Sequence, residues 1–187
     1  MKLGLALARA TIGGLLIGHG TQKLFGWFGG EGLDPTAAQF EQLGLRPGKR
    51  NAILSGASEG GAGVLMVLGL CMPAATAALT GSMATAISKV HGPRGPWNPQ
   101  GGYEYNVALV LFAMAFTDAG PGPLSLDALH GHEEWGIAWA LAGVATGVAA
   151  SQLAIELGKR GGSPGGAAGP LPGQGAETTP DADTTAG

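Results

Sequence analysis

Residues 3–24, which read LGLALARATIGGLLIGHGTQKL, decide the fold class of this chain. The run is almost wholly apolar over the roughly 20 residues that a helix needs to cross a bilayer. It nevertheless contains Arg9, and it ends with His19 and Lys23, which lie one helical turn apart on the same face. A secretory signal peptide is the alternative, but Arg9 interrupts the run and no small-x-small cleavage site follows. The stretch therefore predicts a membrane-spanning helix with a polar site at one end.

The composition places the whole chain in the membrane-protein class. Only 12% of the residues are charged and 45% are hydrophobic, while glycine accounts for 36 of 187 residues. The net charge of −3 offers no basic surface for nucleic acid. The single cysteine, Cys71, excludes an internal disulfide and a CxxC redox pair. We therefore expect the lipid bilayer to be the partner of this chain and exclude nucleic acid.

Five apolar segments approach bilayer length and predict an all-α, polytopic transmembrane bundle. The second and third meet at Met72-Pro73, which predicts a tight turn because proline ends a helix before itself. Small residues recur four apart, a spacing that lets transmembrane helices approach closely. The segments are Leu3–Leu24, Ala52–Cys71, Ala74–Lys89, Tyr103–Thr117 and Trp135–Leu157, and the small pairs are Gly14 with Gly18, Gly56 with Gly60, and Gly143 with Gly147.

The segments divide the chain into a membrane domain over residues 1–129 and two additions. A further C-terminal helix within residues 130–160 either spans the membrane or lies at its surface. Residues 161–187 are Gly, Pro, Ala, Ser and Thr with few other types, so we expect a disordered tail. Between the first two spans, Asp34 as N-cap and Pro35 predict a short interfacial helix.

Hairpin geometry brings six ionisable side chains to one leaflet. Charges in lipid are costly, so these groups should face inward and pair, which predicts a ligand site. Glu59 is the strongest case, because a carboxylate about 10 Å inside the bilayer needs a cation or a donor. Simple snorkelling of Lys23, Lys89 and Glu104 to water is the alternative. The six are His19, Lys23, Glu59, Lys89, His91 and Glu104.

The opposite leaflet holds Arg9, for which we expect Asp118 or Asp127 as the partner in a structural ion pair. Two histidines and two glutamates are too weak a signal for a metal or haem, since no Glu-x-x-His pair occurs on one helix. The basic residues gather on the side of the six-residue site, and the positive-inside rule places that side in the cytoplasm. They are Arg46, Lys49, Arg50, Arg94, Lys159 and Arg160.

Several of these motifs, in this order, resemble the DoxX family of membrane proteins. The resemblance is carried by Arg9 with Gly18-His19-Gly20-x-x-Lys23-Leu24-Phe25-Gly26, Glu59 with the following GGAGVLMVLGL, Met83 with Ala86 and Lys89-Val90-His91, Gly102-Tyr103-Glu104-Tyr105, and GPGPLSLDAL at residues 120–129. It implies a small, multi-pass protein of the bacterial plasma membrane with a four-helix core, to which this chain adds a fifth helix. It also implies a link to electron transfer into quinone and to complexes that handle oxidative stress.

Two functions follow from the residues and the resemblance. In the first, the chain is a component of a membrane oxidoreductase whose six-residue site binds a quinone headgroup or another small polar ligand. A partner redox protein would supply the electrons. In the second, it is a non-enzymatic scaffold subunit whose polar cluster only fixes helix register. A transporter ranks last, because the charges thin out in the middle of the membrane.

Overall fold

In a computed structural model of the chain, residues 3–132 and 134–161 are described, and all of their regular secondary structure is helical. The disordered tail predicted for residues 161–187 lies outside this part of the chain, apart from Gly161. Five long helices and two short ones follow each other in the sequence. They are α1 (Leu3–Phe25), α2 (Leu33–Gln42), α3 (Gly48–Leu68), α4 (Met72–Ala86), α5 (Glu104–Asp118), α6 (Leu126–Leu129) and α7 (Ile137–Arg160).

The long helices alternate in direction, with α4 at the centre. Helix α1 packs on α3, α3 packs on α4, and both α5 and α7 pack on α4 and on each other. The C-terminal ends of α1, α4 and α7 therefore lie together with the N-terminal ends of α3 and α5. We call this the Lys23 end of the bundle, and the opposite side the Arg9 end.

The turn between α3 and α4 differs from the prediction. Helix α3 ends at Leu68 because Gly69 adopts a left-handed conformation with φ of 61°. Helix α4 begins at Met72 with Pro73 in its first turn. The N–H groups of a first turn have no acceptor within the helix, so proline, which lacks an N–H, loses no hydrogen bond there. The predicted turn at Met72-Pro73 was therefore wrong. Residues 69–71 form the turn, and Pro73 starts a helix.

Glycines set the closest helix contacts, and they do so on particular faces. A Cβ added at Gly20 of α1 would lie 2.6 Å from the Gly56 carbonyl oxygen of α3. By contrast, a Cβ added at Gly14 or Gly18 would meet nothing within 4 Å. The Gly14 and Gly18 pair therefore faces outward, contrary to its expected role in packing. The other two predicted pairs do pack: Gly56 and Gly60 face α1, and Gly143 and Gly147 face α4.

Both the interior and the outer surface of the bundle are rich in apolar side chains. The buried residues include Arg9, Glu59 and Asp127 together with many Gly, Ala, Ser and Thr. Large apolar side chains cover the outside, and such a surface suits lipid better than water. Helices α1 and α7 are long and apolar enough to cross a membrane. Exposed apolar residues include Leu7, Leu15, Ile53, Leu54, Val64, Leu111, Phe112, Leu141, Val148 and Leu153.

The short helix α2 closes the Lys23 end. It begins at Leu33 after Gly32, so Asp34 lies in the first helical turn and is not the N-cap. A carboxylate in that turn still interacts favourably with the helix dipole. After α2, Leu45 is buried against α7, where a Cβ added at Gly158 would lie 3.1 Å from the Leu45 Cα. The connection from α2 to α3 thus packs on α7 through Leu45.

Candidate functional site: a cavity at the Lys23 end

Glu59 is buried within α3, with 4% of its surface exposed. Because α3 begins at Gly48, four residues before the predicted start of the segment, Glu59 lies about three turns, or roughly 16 Å, from the start of the helix. A carboxylate in such a place requires donors from neighbouring helices.

Two neighbouring helices, α1 and α4, supply those donors. The Lys23 Nζ atom of α1 lies 2.5 Å from Glu59 Oε1, and the Ser82 hydroxyl of α4 donates to the same oxygen at 2.5 Å. Lys23 also donates to the Ser55 hydroxyl at 3.1 Å. We call Lys23, Ser55, Glu59 and Ser82 the Lys23–Glu59 cluster. It ties α1, α3 and α4 together by charge-assisted hydrogen bonds.

The cluster keeps spare hydrogen-bonding capacity. Glu59 Oε2 accepts no hydrogen bond from the described residues, and Lys23 uses two of its three N–H donors. The side chain of Lys23 is 30% exposed, whereas that of Glu59 is 5% exposed. The pair can therefore donate one hydrogen bond and accept another without losing its own contact.

A cavity of about 430 Å³ adjoins the cluster. This volume lies within the range of small-molecule sites, which are mostly apolar with a few placed polar groups. Helices α1, α2, α3, α4 and α7 all contribute to the wall. The polar lining is Lys23, Gln39, Asn51, Ser55, Ser58, Glu59, Ser82, Thr85, Lys89, His91 and Ser151, and the apolar lining includes Phe40, Leu43, Leu54, Ala150 and Ala154.

Lys89 and His91 reach the cavity from a π-helical turn. This turn, Ile87–His91, continues α4 directly and places both side chains in the cavity wall. The His91 Nδ1 atom is 2.7 Å from the Gly101 carbonyl oxygen, which fixes the ring orientation. Single π-helical turns within helices frequently occur at functional sites, because the extra residue redirects the side chains that follow.

His19 and Glu104, the other two predicted site residues, do not line the cavity. His19 is exposed on the outer face of α1, beside Gly18 in a separate surface groove. Since Gly20 faces α3, the residue before it is rotated by about 100° around the helix axis and points away from the bundle. Glu104 accepts a hydrogen bond from the Asn98 backbone N–H at 2.8 Å and thereby stabilises the loop before α5.

Five hydroxyl-bearing residues of the cavity wall were missed by the sequence analysis, Ser58 among them. Ser55 precedes Glu59 by four residues, and Ser82 precedes Lys89 by seven, so each shares a helix face with an ionisable residue. That spacing was the available signal. The other two, Thr85 and Ser151, are hydrogen-bonded to each other at 2.8 Å between α4 and α7.

At the Arg9 end the predicted direct ion pair is replaced by contacts to the backbone. The guanidinium group of Arg9 donates to the carbonyl oxygens of Met66, Val67 at 3.0 Å and Leu124 at 2.6 Å. Among the described residues, no carboxylate lies within ion-pair distance of Arg9. Asp118, one of its two expected partners, is exposed at the end of α5.

Asp127, the other expected partner, holds the start of α4. Its carboxylate accepts hydrogen bonds from the backbone N–H groups of Cys71 at 2.8 Å and Met72 at 3.4 Å. It also accepts a hydrogen bond from Trp135 Nε1 at 2.7 Å. Asp127 therefore satisfies N–H groups that the start of a helix leaves without partners. Arg9 and Asp127 lie on the two sides of the turn at Gly69 and attract each other without a direct contact.

Comparison with known protein families identifies the part of the chain that carries the cavity. The family model named DoxX matches residues 4–92, just under half of the chain. Residues 4–92 of the chain therefore form a DoxX domain. No curated protein and no solved structure matches it significantly. Within the described residues, no group of three His, Cys, Asp or Glu side chains is placed to hold a metal ion.

The DoxX domain contains the whole Lys23–Glu59 cluster and ends just after the π-helical turn. DoxX is a membrane family, and together with the apolar α1 and α7 this indicates a membrane protein. Helix α7 lies beyond the matched residues but supplies one wall of the cavity.

Proposed function

We propose that this DoxX-domain protein is a component of a membrane oxidoreductase or electron-transfer system, and that its cavity binds a quinone headgroup or a similar small polar ligand. The observation that carries the proposal is the Lys23–Glu59 cluster, whose spare donor and spare acceptor adjoin a largely apolar cavity. Buried ionisable groups within membrane helices are costly and commonly mark functional sites.

The proposal includes a multi-pass topology in the bacterial plasma membrane. Helices α1, α3, α4 and α5 would form the four-helix core, with α7 as a fifth span. Helix α4 and the π-helical turn together cover residues 72–91, which is close to the length needed to cross a bilayer. The basic residues lie near the Lys23 end, so the positive-inside rule would place this end and its cavity on the cytoplasmic side.

The residues present fit a quinone. Its carbonyl oxygens accept hydrogen bonds, and Lys23 has a free N–H to donate. Its reduction consumes two electrons and two protons, and a partner redox protein would supply the electrons. The roles of this chain would be to orient the headgroup through Lys23 and to hold or release a proton at Glu59 Oε2. Lys89 and His91 would complete the polar wall.

Binding of a quinone to the purified protein tests the proposal. We expect Glu59→Gln to weaken binding by about tenfold or more, since hydrogen bonds with charged groups contribute about 1.5–3 kcal/mol. Glu104→Gln is the matched control, because Glu104 lies outside the cavity, and it should leave binding unchanged. Equal binding by the wild type and Glu59→Gln would contradict the proposed role of the cluster.

A scaffold subunit is the second candidate, favoured by one observation. The Lys23–Glu59 contact is already made within the protein and joins three helices, as a purely structural cluster would. In that case, Glu59→Gln would lower the stability of the bundle, while a bound partner keeps full activity in the fraction that stays folded.

A further inference from the structure

We propose that the ligand enters the cavity sideways from the lipid, through the gap between α3 and α7, and is therefore a membrane-borne amphiphile with a polar head and a long apolar tail. This inference rests on the proposed function of the cavity as a ligand site. It adds the class of the ligand and gives a role to the C-terminal helix outside the DoxX match.

The gap exists because α3 and α7 pack on α4 and not closely on each other. Both helices nevertheless line the cavity, with Leu54 on α3 and Ala150 on α7. Leu54 is 56% exposed and Ala150 is also exposed, so both residues lie where the cavity wall meets the outer surface. The cavity therefore reaches the outer apolar surface of the bundle between these two helices.

The connection from α2 to α3 obstructs another route, which passes between α2 and α7 at the Lys23 end. The connection from α2 to α3 packs on Gly158 of α7 through Leu45. Asn51 fixes this connection by donating from Nδ2 to the carbonyl oxygens of Leu45 at 3.1 Å and Pro47 at 3.0 Å. Leu45 and Gly48 of this connection are buried, so a solute that takes this route would have to displace them, whereas the gap between α3 and α7 needs no such rearrangement.

The polarity of the lining also matches a headgroup that faces inward. The ionised atoms of Lys23 and Glu59 lie where α1, α3 and α4 meet, while Leu54, Ala150 and Ala154 supply apolar contacts on the side of α3 and α7. At about 430 Å³ the cavity can hold a headgroup, but a long hydrocarbon tail exceeds it. The tail would leave through the gap and remain in lipid, where its burial costs nothing.

A pair of probes with the same headgroup tests the route. One is a benzoquinone with a methyl group in place of its tail, and the other is the same benzoquinone with a long polyprenyl tail. Ala150→Phe narrows the gap from the side of α7. Ala149→Phe is its control, because Ala149 is exposed on the same helix but does not line the cavity. Binding is measured with the full-length protein in lipid nanodiscs.

We expect Ala150→Phe to weaken binding of the long-tailed probe at least about tenfold more than binding of the tailless probe. Ala149→Phe should change neither. If Ala150→Phe fails to fold, Leu54→Trp narrows the same gap from α3. Ile53→Trp is then the control, because Ile53 is 42% exposed and lies outside the cavity wall.

The outcomes separate the two proposals. A wild-type protein that binds neither probe overturns the proposed function, and the entry route with it. If the wild type binds both probes, lateral entry is overturned when Ala150→Phe binds both probes normally or weakens the binding of both equally. Either result leaves the ligand site in place. Selective loss of the long-tailed probe in Ala150→Phe alone supports entry from the lipid.

Discussion

Replacing Lys23 should destabilise the bundle far more than neutralising its partner, Glu59. Lys23→Met leaves the Glu59 carboxylate, whose side chain is 5% exposed, with the Ser82 hydroxyl as its remaining donor. Leaving a buried charge without its partner lowers the free energy of unfolding by about 3–5 kcal/mol. Glu59→Gln retains an oxygen that accepts from both Lys23 and Ser82. The remaining ammonium group is on a side chain that is 30% exposed and lies two residues before the end of α1, so it can reach the interface.

We therefore expect Glu59→Gln to lower the free energy of unfolding by about 1–2 kcal/mol, which is the range for one weakened hydrogen bond. Because the two side chains interact, the double variant should cost about 2 kcal/mol less than the sum of the single variants. The measurement is reversible unfolding in mixed micelles with increasing SDS, followed by far-UV circular dichroism. Lys49→Met is the control: its contact with Asp34 is 3.6 Å long and exposed, so its loss should cost less than about 0.5 kcal/mol.

Two results would refute this reasoning. If Lys23→Met and Glu59→Gln cost the same, the difference in burial between the two charges does not control stability. If the double variant costs the sum of the single variants, Lys23 and Glu59 do not interact in the folded chain. The polar wall of the cavity would then differ from the one described.

The remaining predictions concern the scaffold and use the same unfolding assay. Gly20→Ala should lower the free energy of unfolding by about 1–3 kcal/mol, because the added Cβ meets the backbone of α3. The Cβ added by Gly18→Ala meets nothing within 4 Å, so this variant should leave the free energy of unfolding unchanged or raise it by up to about 1 kcal/mol. Equal effects of the two substitutions would contradict the assignment of Gly20 to the inner face of α1 and of Gly18 to its outer face. Asp127→Ala should lower the free energy of unfolding by about 3 kcal/mol or more, because two backbone N–H groups and the Trp135 indole lose their acceptor. Because the Trp135 indole loses its hydrogen bond, the tryptophan fluorescence should also shift. Asp118→Ala, on an exposed residue, should change stability by less than about 0.5 kcal/mol, and an equally large effect there would argue against this role of Asp127.

The membrane class and the helical segments could be predicted because both depend on local composition. Apolar runs as long as residues 3–24 suit lipid whatever their neighbours are. The need of Glu59 for a cation, a hydrogen-bond donor or a proton was equally predictable, since the cost of burying a carboxylate does not depend on the details of the fold. Lys23, at the end of the preceding span, was one of the few cations that could meet it.

The composition of the cavity could not be predicted in the same way. Ser55 and Ser82 are neutral, so their spacing from Glu59 and Lys89 is a weak signal until the tertiary structure brings both hydroxyl groups close to Glu59 and Lys23. Whether His19 faces inward depends on the rotation of α1 about its axis, which the contact of Gly20 with α3 fixes. The sequence also could not show that the terminal nitrogens of Arg9 would donate to backbone carbonyls, because the C-terminal end of α3 and the loop before α6 supply these acceptors.

The sequence by itself thus determined the solvent this chain prefers, the number of its long helices and the presence of buried charges that require partners. These properties follow from the free energies of transferring side chains from water to lipid, summed along short stretches of the chain. Only the tertiary structure decided which face of each helix points inward, which charges meet and where the cavity opens. Those outcomes depend on backbone contacts at single glycines, which fix how each helix is rotated about its axis. A rotation by one residue, about 100°, moves a side chain from the cavity to the outer surface.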